Sequence, residues 1–416
     1  MDEHSPPNHL PTADERCPKL LGLVGAVGLV LCITCYVVTA MRDRAPAVAR
    51  QPVDSSMNLQ DLGYSTHWEY YRMVERRFDQ RKSELRPVTP RIEFRRSADH
   101  ARLIGCNADS EILATTASSR FGDTLVRWDH NMDSESKELL DDSEPENVAV
   151  SEKSGLKWQL SRTTNGSCRV TRRNRGSAAP EVCNGNYQSV RGFVVAAIAP
   201  VALGHNDGTF HVWDFRQAPT QRAFNAPTEP GPSLLAIHPY GSVFAYRAGA
   251  RVAIMSAKSG GLVRDLGLSG FITWDGCLRF SPSGRFVAAG GEGVLGERIV
   301  IWDSERGTTI LARDGVSRAA FALAFSNSER YLAWAGSAGP WGTDASNKAS
   351  IVAIQQLGIA APPVELLIEP GVWGGITFSK DDKSLIVACE SEVRVYKIDE
   401  LLANADQQDR QNGVSQ

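Results

Sequence analysis

The sequence predicts an all-β domain preceded by a single transmembrane helix, and three observations support this fold class. Residues 20–41 contain no charged side chain. From residue 91 onward, a strand-like motif recurs at intervals of about 42 to 52 residues. Within each repeat, turns rich in Pro and Gly separate the strand-like runs. A period of roughly 42 residues is the length of a four-stranded propeller blade, so the repeats predict a seven-bladed β-propeller.

The overall composition is ordinary and excludes several classes of protein. The 416 residues are 42% hydrophobic and 22% charged, and the formal net charge is −3. These values exclude a collagen-like chain, a fully disordered chain and a polytopic membrane protein. Since there is no basic excess, nucleic acid is not an expected partner. The mean hydropathy of −0.24 averages over one short apolar segment and a polar remainder.

The apolar segment lies close to the N-terminus. Residues 1–19 are polar and rich in Pro, which predicts a disordered tail. As a helix rising 1.5 Å per residue, residues 20–41 span about 33 Å, enough to cross a hydrocarbon core of roughly 30 Å. The segment is therefore predicted to be a transmembrane helix, and the lipid bilayer is its partner.

Two questions about this segment stay open. A cleaved signal peptide over residues 1–40 is the alternative, with Val38–Ala40 as the small-residue cleavage site, although the apolar run exceeds the usual 7–15 residues. Two basic residues precede the segment and three follow it closely. This difference is too small to decide on which side of the membrane the propeller lies, although it slightly favours the cytoplasmic side. The expected localisation is a single-pass membrane protein.

A linker and a short charged helix separate the segment from the repeats. Residues 42–64 are rich in Pro and Ser and predict a linker, whereas residues 65–86 lack Pro and Gly and predict a helix. Tyr71, Val74 and Phe78 share one face of this helix. Its basic residues allow contact with anionic headgroups. Because acidic residues are interleaved with them, the preferred interpretation is a spacer helix that packs on the following domain.

The repeated motif is a strand–turn–strand unit followed by a strand that ends in Trp-Asp. The clearest unit covers residues 277–291, and similar units occur at 234–246, 323–334 and 376–388. The Trp-Asp pairs that end three of the third strands are Trp128-Asp129, Trp213-Asp214 and Trp302-Asp303.

These motifs closely resemble the WD-repeat β-propeller family, and the resemblance covers residues 91–399. In that family, an Asp in the turn before the Trp strand completes a structural hydrogen-bond network. Asp123 and Asp207 match this Asp, whereas the Gly-His pair that opens most repeats of the family is missing.

The two ends of the repeat region predict how the propeller closes. The last repeat ends at Tyr396–Asp399, at its third strand, and residues 400–416 form a polar tail. Residues 91–96 alternate in polarity and precede the first repeat. They are predicted to supply the missing outer strand of the last blade, which protects the sheet edge.

No motif indicates catalysis. The eight His residues show no metal-ligand spacing, and there is no nucleophile elbow and no phosphate-binding loop. The chain is therefore not expected to be an enzyme, nor to bind a cofactor or a metal. An enzymatic or small-ligand-binding propeller with a dispersed site at its central channel is the alternative. Whether Cys168 and Cys183 form a disulfide also stays open.

The longest repeats point to a protein-binding surface. Their extra residues, 290–297 and 337–347, join second to third strands and so project from one face of the propeller. Exposed aromatic residues on such a rim are typical of interaction hot spots. The predicted partner-binding residues on this face are Trp274, Leu295, Trp341 and Trp373. The alternative is that each Trp packs beneath its own loop. The sequence thus predicts a membrane-tethered scaffold that binds proteins non-covalently.

Overall fold

The computed structural model describes most of the chain from residue 67 onward, all of it within the unit Ser55–Gln416. The described ranges are 67–85, 92–94, 101–106, 112–118, 122–128, 135–139, 145–150, 157–162, 168–173, 181–185, 192–199, 201–206, 209–216, 220–225, 234–248, 251–267, 271–293, 295–337, 349–369, 371–389 and 392–403.

One helix and 28 strands make up the described elements. The helix is α1 (His67–Glu84), which falls within the helix predicted over residues 65–86. A single short strand, β1 (Ile92–Phe94), follows it. The next strands are β2 (Ala101–Cys106), β3 (Ile112–Ser118), β4 (Gly122–Trp128), β5 (Glu135–Leu139), β6 (Pro145–Val150), β7 (Lys157–Arg162), β8 (Cys168–Arg173), β9 (Glu181–Gly185), β10 (Gly192–Val195), β11 (Val201–Asn206), β12 (Thr209–Asp214) and β13 (Thr220–Asn225).

The remaining strands continue the same succession of short antiparallel elements. They are β14 (Leu235–Ile237), β15 (Val243–Ala248), β16 (Arg251–Ser256), β17 (Leu262–Gly267), β18 (Phe271–Phe280), β19 (Phe286–Gly293), β20 (Gly296–Asp303), β21 (Thr309–Asp314), β22 (Ala319–Phe325), β23 (Tyr331–Ser337), β24 (Ser350–Gln356), β25 (Val364–Ile368), β26 (Val372–Phe378), β27 (Ser384–Cys389) and β28 (Val393–Lys397).

Consecutive strands pair into antiparallel ladders of four. The first to fourth ladders are β2–β5, β6–β9, β10–β13 and β14–β17. The fifth ladder (β18–β21) and the sixth (β22–β25) merge into one eight-stranded sheet, because Glu292 of β19 pairs with Ala319 of β22. The last ladder comprises β26–β28 and β1. The first strand of each ladder contacts the first strand of the next, and β26 of the last ladder contacts β2 of the first.

The strand that completes the last ladder comes from the N-terminal side of the repeats. Ile92, Glu93 and Phe94 of β1 pair antiparallel with Val395, Arg394 and Val393 of β28. This confirms the pairing predicted for residues 91–96. The chain segments that begin and end the repeat region therefore share one ladder.

Apolar residues fill the space between neighbouring ladders. The second and third strands are the most deeply buried; every residue of β23 is buried, for example, whereas β17 is exposed over most of its length. Trp213 and Trp302, on the third strands β12 and β20, are at most 1% exposed. Trp302 packs in an apolar cluster with residues of the fourth ladder, and burial of so large an aromatic side chain stabilises the packing of ladder on ladder.

Four of the turns between first and second strands have one geometry. In the fifth ladder, Ser281 N–H donates to the Phe286 carbonyl (2.9 Å), and Gly284 N–H donates to the Ser281 carbonyl (2.8 Å). The same two bonds occur in the turns that begin at His238, Ser326 and Ser379. This confirms the turn predicted at Ser281–Gly284.

The fourth residue of each of these turns has a positive φ and contacts the preceding ladder. Gly284 has φ +82°, and a Cβ there would lie 1.8 Å from Nε2 of His238. Glu329, with φ 57°, accepts a hydrogen bond (2.6 Å) from Ser283 N–H in the fifth ladder. Asp382, with φ 58°, accepts hydrogen bonds from two backbone N–H groups and from the Asn327 side chain in the turn of the sixth ladder. The side chain thus gains an inter-ladder contact that offsets the cost of its strained backbone.

Several sequence-based boundaries change in the structure. Residues 290–297 are not a loop, because β19 and β20 extend to the pair Gly293–Gly296 and form a tight hairpin. The tail predicted from residue 400 is preceded by a helical turn over 398–403, in which Ile398 and Leu401 are 1% exposed. The segments 1–19, 20–41 and 42–64 lie outside the described residues. In the part of the chain that is described, no helix is both long and apolar enough to span a membrane.

The backbone register bears on the pairing of Cys168 and Cys183. Cys168 of β8 lies opposite Gly185, and Cys183 of β9 lies opposite Val170. The two cysteines are therefore diagonal neighbours, for which Cα atoms lie roughly 7–8 Å apart or more. A disulfide needs Cα atoms about 4.4–6.8 Å apart, so this register disfavours the bond.

Candidate interaction face

Two opposite faces of the repeat domain follow from the course of the strands. We call "hairpin face" the end that carries the turns from second to third strands, such as the hairpin at Gly293–Gly296, and the connections between ladders, such as 315–318. The opposite "turn face" carries the four turns that begin at His238, Ser281, Ser326 and Ser379.

Helix α1 packs on the hairpin face, over the fifth and sixth ladders. Tyr70, Val74 and Phe78 are spaced by four residues, and each is at most 2% exposed. Such spacing puts the three side chains on one side of the helix. Phe78 and Leu85 form an apolar cluster with Ile351 and other residues of the sixth ladder. This confirms that the helix packs on the domain, although Tyr70 rather than Tyr71 is the most deeply buried aromatic residue of its first turns.

Polar contacts fix the position of α1. Tyr70 Oη donates to the carbonyl of Gly293 at the tip of the β19–β20 hairpin (2.6 Å). Burial raises the pKa of Tyr70, and the nearby charge of Glu292 raises it further. Towards the end of the helix, Arg81 Nε lies 2.6 Å from Oε2 of Glu365, which is partly buried on β25. The helix is thus bound by both ladders along its length.

A buried ion pair lies beneath the N-terminal half of α1. Arg318 donates to both carboxylate oxygens of Glu292 at 3.2 Å, and the two residues are 6% and 0% exposed. Arg318 also donates to Tyr71 Oη (3.2 Å), and its guanidinium lies 4.7 Å from the centre of that ring. Removing one partner would leave an uncompensated buried charge, so this pair fixes the geometry of the helix seat.

A second buried carboxyl, Glu297, lies opposite Glu292 in the same hairpin. Its Oε1 accepts a hydrogen bond from Trp334 Nε1 of the sixth ladder (3.0 Å). A Cβ at Gly315 or Gly336 would lie within 2.0 Å of one of its carboxyl oxygens, so both glycines are needed to make room for it. Burial raises the pKa of Glu297 to about 7, and the negative charge of Glu365 adds to this effect.

The structure places only part of the predicted binding patch. Leu295 is at the tip of the β19–β20 hairpin, 49% exposed, and its carbonyl accepts a hydrogen bond from Arg77 of α1. Trp274 and Trp373 lie within β18 and β26, near the hairpin-face ends of these first strands. Their side chains, and Trp341 as a whole, lie outside the described residues.

The predicted repeat residues occupy equivalent strands. Trp128, Trp213 and Trp302 are on β4, β12 and β20, which are the third strands of their ladders. Asp214 and Asp303 each accept a hydrogen bond from the N–H two residues later, which caps the turn that follows the strand. Hydrogen bonds from the Arg216 side chain also lower the pKa of Asp214. Asp123 lies in β4, whereas Asp129 and Asp207 lie outside the described residues.

The residues that sequence analysis missed are the charged groups beneath α1. Glu292, Glu297 and Arg318 are buried, yet none carries a motif. One signal was present: Glu292 and Glu297 interrupt apolar, Gly-rich runs on either side of the same hairpin. Charged residues are almost never fully buried unless they are paired, so two of them in such a setting point to partners from elsewhere in the chain.

The described residues include no group of three His, Cys, Asp or Glu side chains that could hold a metal ion. The strongly buried thiols of Cys277 and Cys389 have raised pKa values, because burial disfavours their charged forms. Low-pKa, accessible thiols are the reactive ones, so these two residues act as core side chains.

Comparison with known proteins identifies the fold and nothing more specific. No protein-family model and no curated protein matches the sequence. Among solved structures, a chain in the crystal structure of the mitotic checkpoint complex is similar, with a TM-score of 0.55 and 15% sequence identity. The match covers 74% of this chain and 94% of that chain. This likeness and the succession of four-stranded antiparallel ladders both support a β-propeller. The repeat domain described above therefore has a β-propeller fold.

Proposed function

We propose that this protein is a membrane-tethered, seven-bladed propeller of WD-repeat type that acts as a scaffold, binding protein partners non-covalently on its hairpin face. The blade count is supported by the ladders of four strands and by the contacts that link their first strands in succession. Each ladder then corresponds to one blade, and the fifth and sixth ladders are two blades joined by a single strand pair.

Tethering is supported by the sequence. Residues 20–41 are uncharged and long enough to cross a bilayer as a helix, and a linker follows them. The next element, α1, is docked on the propeller. The slight excess of basic residues after the segment favours the cytoplasmic side for the propeller.

The observation that supports the proposed binding role is the docking site of α1 on the fifth and sixth ladders. The hairpin face already holds an amphipathic helix through aromatic anchors and through the ion pairs Arg81–Glu365 and Lys82–Glu369, which is a common mode of recognition between proteins. The side chain of Leu295 is exposed beside this docking site, and its carbonyl accepts a hydrogen bond from Arg77 of α1. We infer that Trp274, Trp341 and Trp373 contribute to the same surface and that protein partners bind there.

The role is non-enzymatic. Among the described groups, those with the most strongly raised pKa values, such as Tyr70, Glu297 and Cys277, are enclosed in packing contacts. A catalytic acid or base has to reach a substrate, and these groups are closed off from one.

Two experiments on membranes from cells that express the full chain test the two parts of the proposal. Alkaline extraction tests the tether, and chemical cross-linking tests the binding surface. The chain should remain in the membrane pellet after alkaline extraction, and a Val30→Arg variant should not, because its charge falls at the centre of the segment. Trp341→Ala, Trp373→Ala and Leu295→Ala should each reduce the yield of cross-linked partner. Ile359→Ala is the matched control, because Ile359 is 48% exposed but lies on the turn face. Equal yields from all four alanine variants would exclude the hairpin face as the binding surface.

A further inference from the structure

We propose that α1 and β1 form one N-terminal strap, in which the docking of α1 on the fifth and sixth blades holds β1 in the ladder that closes the propeller. The pairing of β1 with β28 that closes the propeller is short. Only three residues of β1, Ile92–Phe94, pair with β28, and among the described strands no other borders β1 on its outer side. A three-residue edge strand opens easily by local unfolding, so an additional contact is needed to keep it in place.

Helix α1 is anchored on the repeat domain by several side chains. Tyr70, Val74 and Phe78 are almost completely buried, and Tyr70 and Arg81 bind the fifth and sixth blades. Burial of apolar side chains of this size stabilises the docked helix. In chain order α1 precedes β1, so any pull on the N-terminal linker reaches α1 before it reaches the short closing strand.

A continuous set of polar contacts joins α1 to the closing ladder. Lys82 Nζ near the end of α1 lies 2.5 Å from Oε1 of Glu369. The backbone carbonyl of Glu369 accepts a hydrogen bond of 2.7 Å from Arg394 Nη2 on β28. Arg394 is the register partner of Glu93 in β1, and its Nε donates to Glu392 (2.6 Å).

Glu369 is therefore the connecting element between the helix and the pairing of β1 with β28. Its side chain binds α1, and its main chain binds β28, so displacement of the helix changes the contacts of the strand that carries β1. When α1 is loosened, β1 should detach from β28 before the other blades lose their strands.

Hydrogen–deuterium exchange of the full chain in detergent tests this coupling. In Phe78→Ala, amide exchange at 92–94 and 393–395 should accelerate by about tenfold or more, with no change in β15 and β16 of the fourth blade. Lys82→Ala retains the apolar anchors of α1 and should give a smaller increase of about threefold at the same amides. It decides the outcome if Phe78→Ala fails to fold.

The matched control is Arg251→Ala. Arg251 forms a 2.9 Å pair with Asp265 on the fourth blade, and the two side chains are 46% and 42% exposed, close to the 37% and 47% of Lys82 and Glu369. The Arg251→Ala substitution should leave amide exchange at 92–94 unchanged. The proposal is overturned if α1 exchanges faster in Phe78→Ala while 92–94 and 393–395 keep their protection. In Lys82→Ala, uniform acceleration of all strands, or no effect at these amides, would overturn it as well.

Discussion

Replacing Glu297 with glutamine is expected to stabilise the protein at pH 8 and to remove much of the pH dependence of its stability. The carboxyl is 1% exposed and lies between the fifth and sixth ladders, where burial raises its pKa from 4.5 to about 7. Glutamine has the same shape, fits between Gly315 and Gly336, and still accepts the hydrogen bond from Trp334. It cannot carry the charge whose burial is unfavourable.

The sign and the size of the effect follow from the two pKa values. The folded protein binds the proton more tightly than the unfolded chain, so the native state loses stability as the pH rises from about 4.5 to about 7. Each unit of difference between the folded and unfolded pKa corresponds to about 1.4 kcal/mol. Above pH 7, the buried charge therefore lowers the free energy of unfolding by about 3 kcal/mol. Glu297→Gln should be more stable than the wild type by up to that amount at pH 8 and nearly equal to it at pH 4.5.

Urea unfolding of the full chain in detergent, followed by tryptophan fluorescence at several pH values between 4.5 and 8, measures this difference. Glu305→Gln is the control, because Glu305 is exposed on the turn face and its replacement should change the stability by less than about 0.5 kcal/mol. If Glu297→Gln is less stable than the wild type at pH 8, or if both lose stability equally with rising pH, the carboxyl is not the buried group described here.

Two pairs of substitutions test the turns between first and second strands, each by the change in urea midpoint. Gly284→Ala should destabilise by more than about 2 kcal/mol, because the new methyl group overlaps a histidine ring, whereas Gly358→Ala, at a similar φ of +85° with nothing within 4 Å, should lose only about 1 kcal/mol. Equal losses of stability in these two variants would show that the backbone conformation alone determines the cost of the added methyl group. Glu329→Ala should lose about 1 kcal/mol more than Glu329→Gly, because both remove the hydrogen bond to the fifth blade but only alanine retains the strain at φ 57°. The reverse order would contradict the strain argument.

Local sequence patterns predicted the regular parts of this fold well. The turn at Ser281–Gly284 and the third-strand position of Trp302 depend on neighbouring residues, and both agree with the structure. The closing strand was predictable because the last repeat lacked a fourth strand and the residues before the first repeat alternated in polarity.

The helix seat depends on residues that are distant in sequence. Glu292 binds Arg318 across 26 residues, and Tyr70 binds Gly293 across 223. The sequence pattern within a single repeat carries no information about contacts over such separations. It therefore could not indicate which residues pair with the buried charges. The residues 290–297 were interpreted as a loop for a related reason. Their glycines and glutamates are poor strand formers in isolation, and the pairing of β19 with β18 and β20 overrides that preference.

Site-specific photo-cross-linking tests the central claim most directly. A photoreactive phenylalanine derivative would replace Leu295 on the hairpin face or, in a separate variant, Ile359 on the turn face of the full chain in intact membranes. The two residues are 49% and 48% exposed, so their intrinsic access to a partner is matched. A membrane-tethered scaffold that binds on its hairpin face should give a defined protein adduct from position 295 and none from position 359. Adducts of equal yield from both positions, or from position 359 alone, would contradict it.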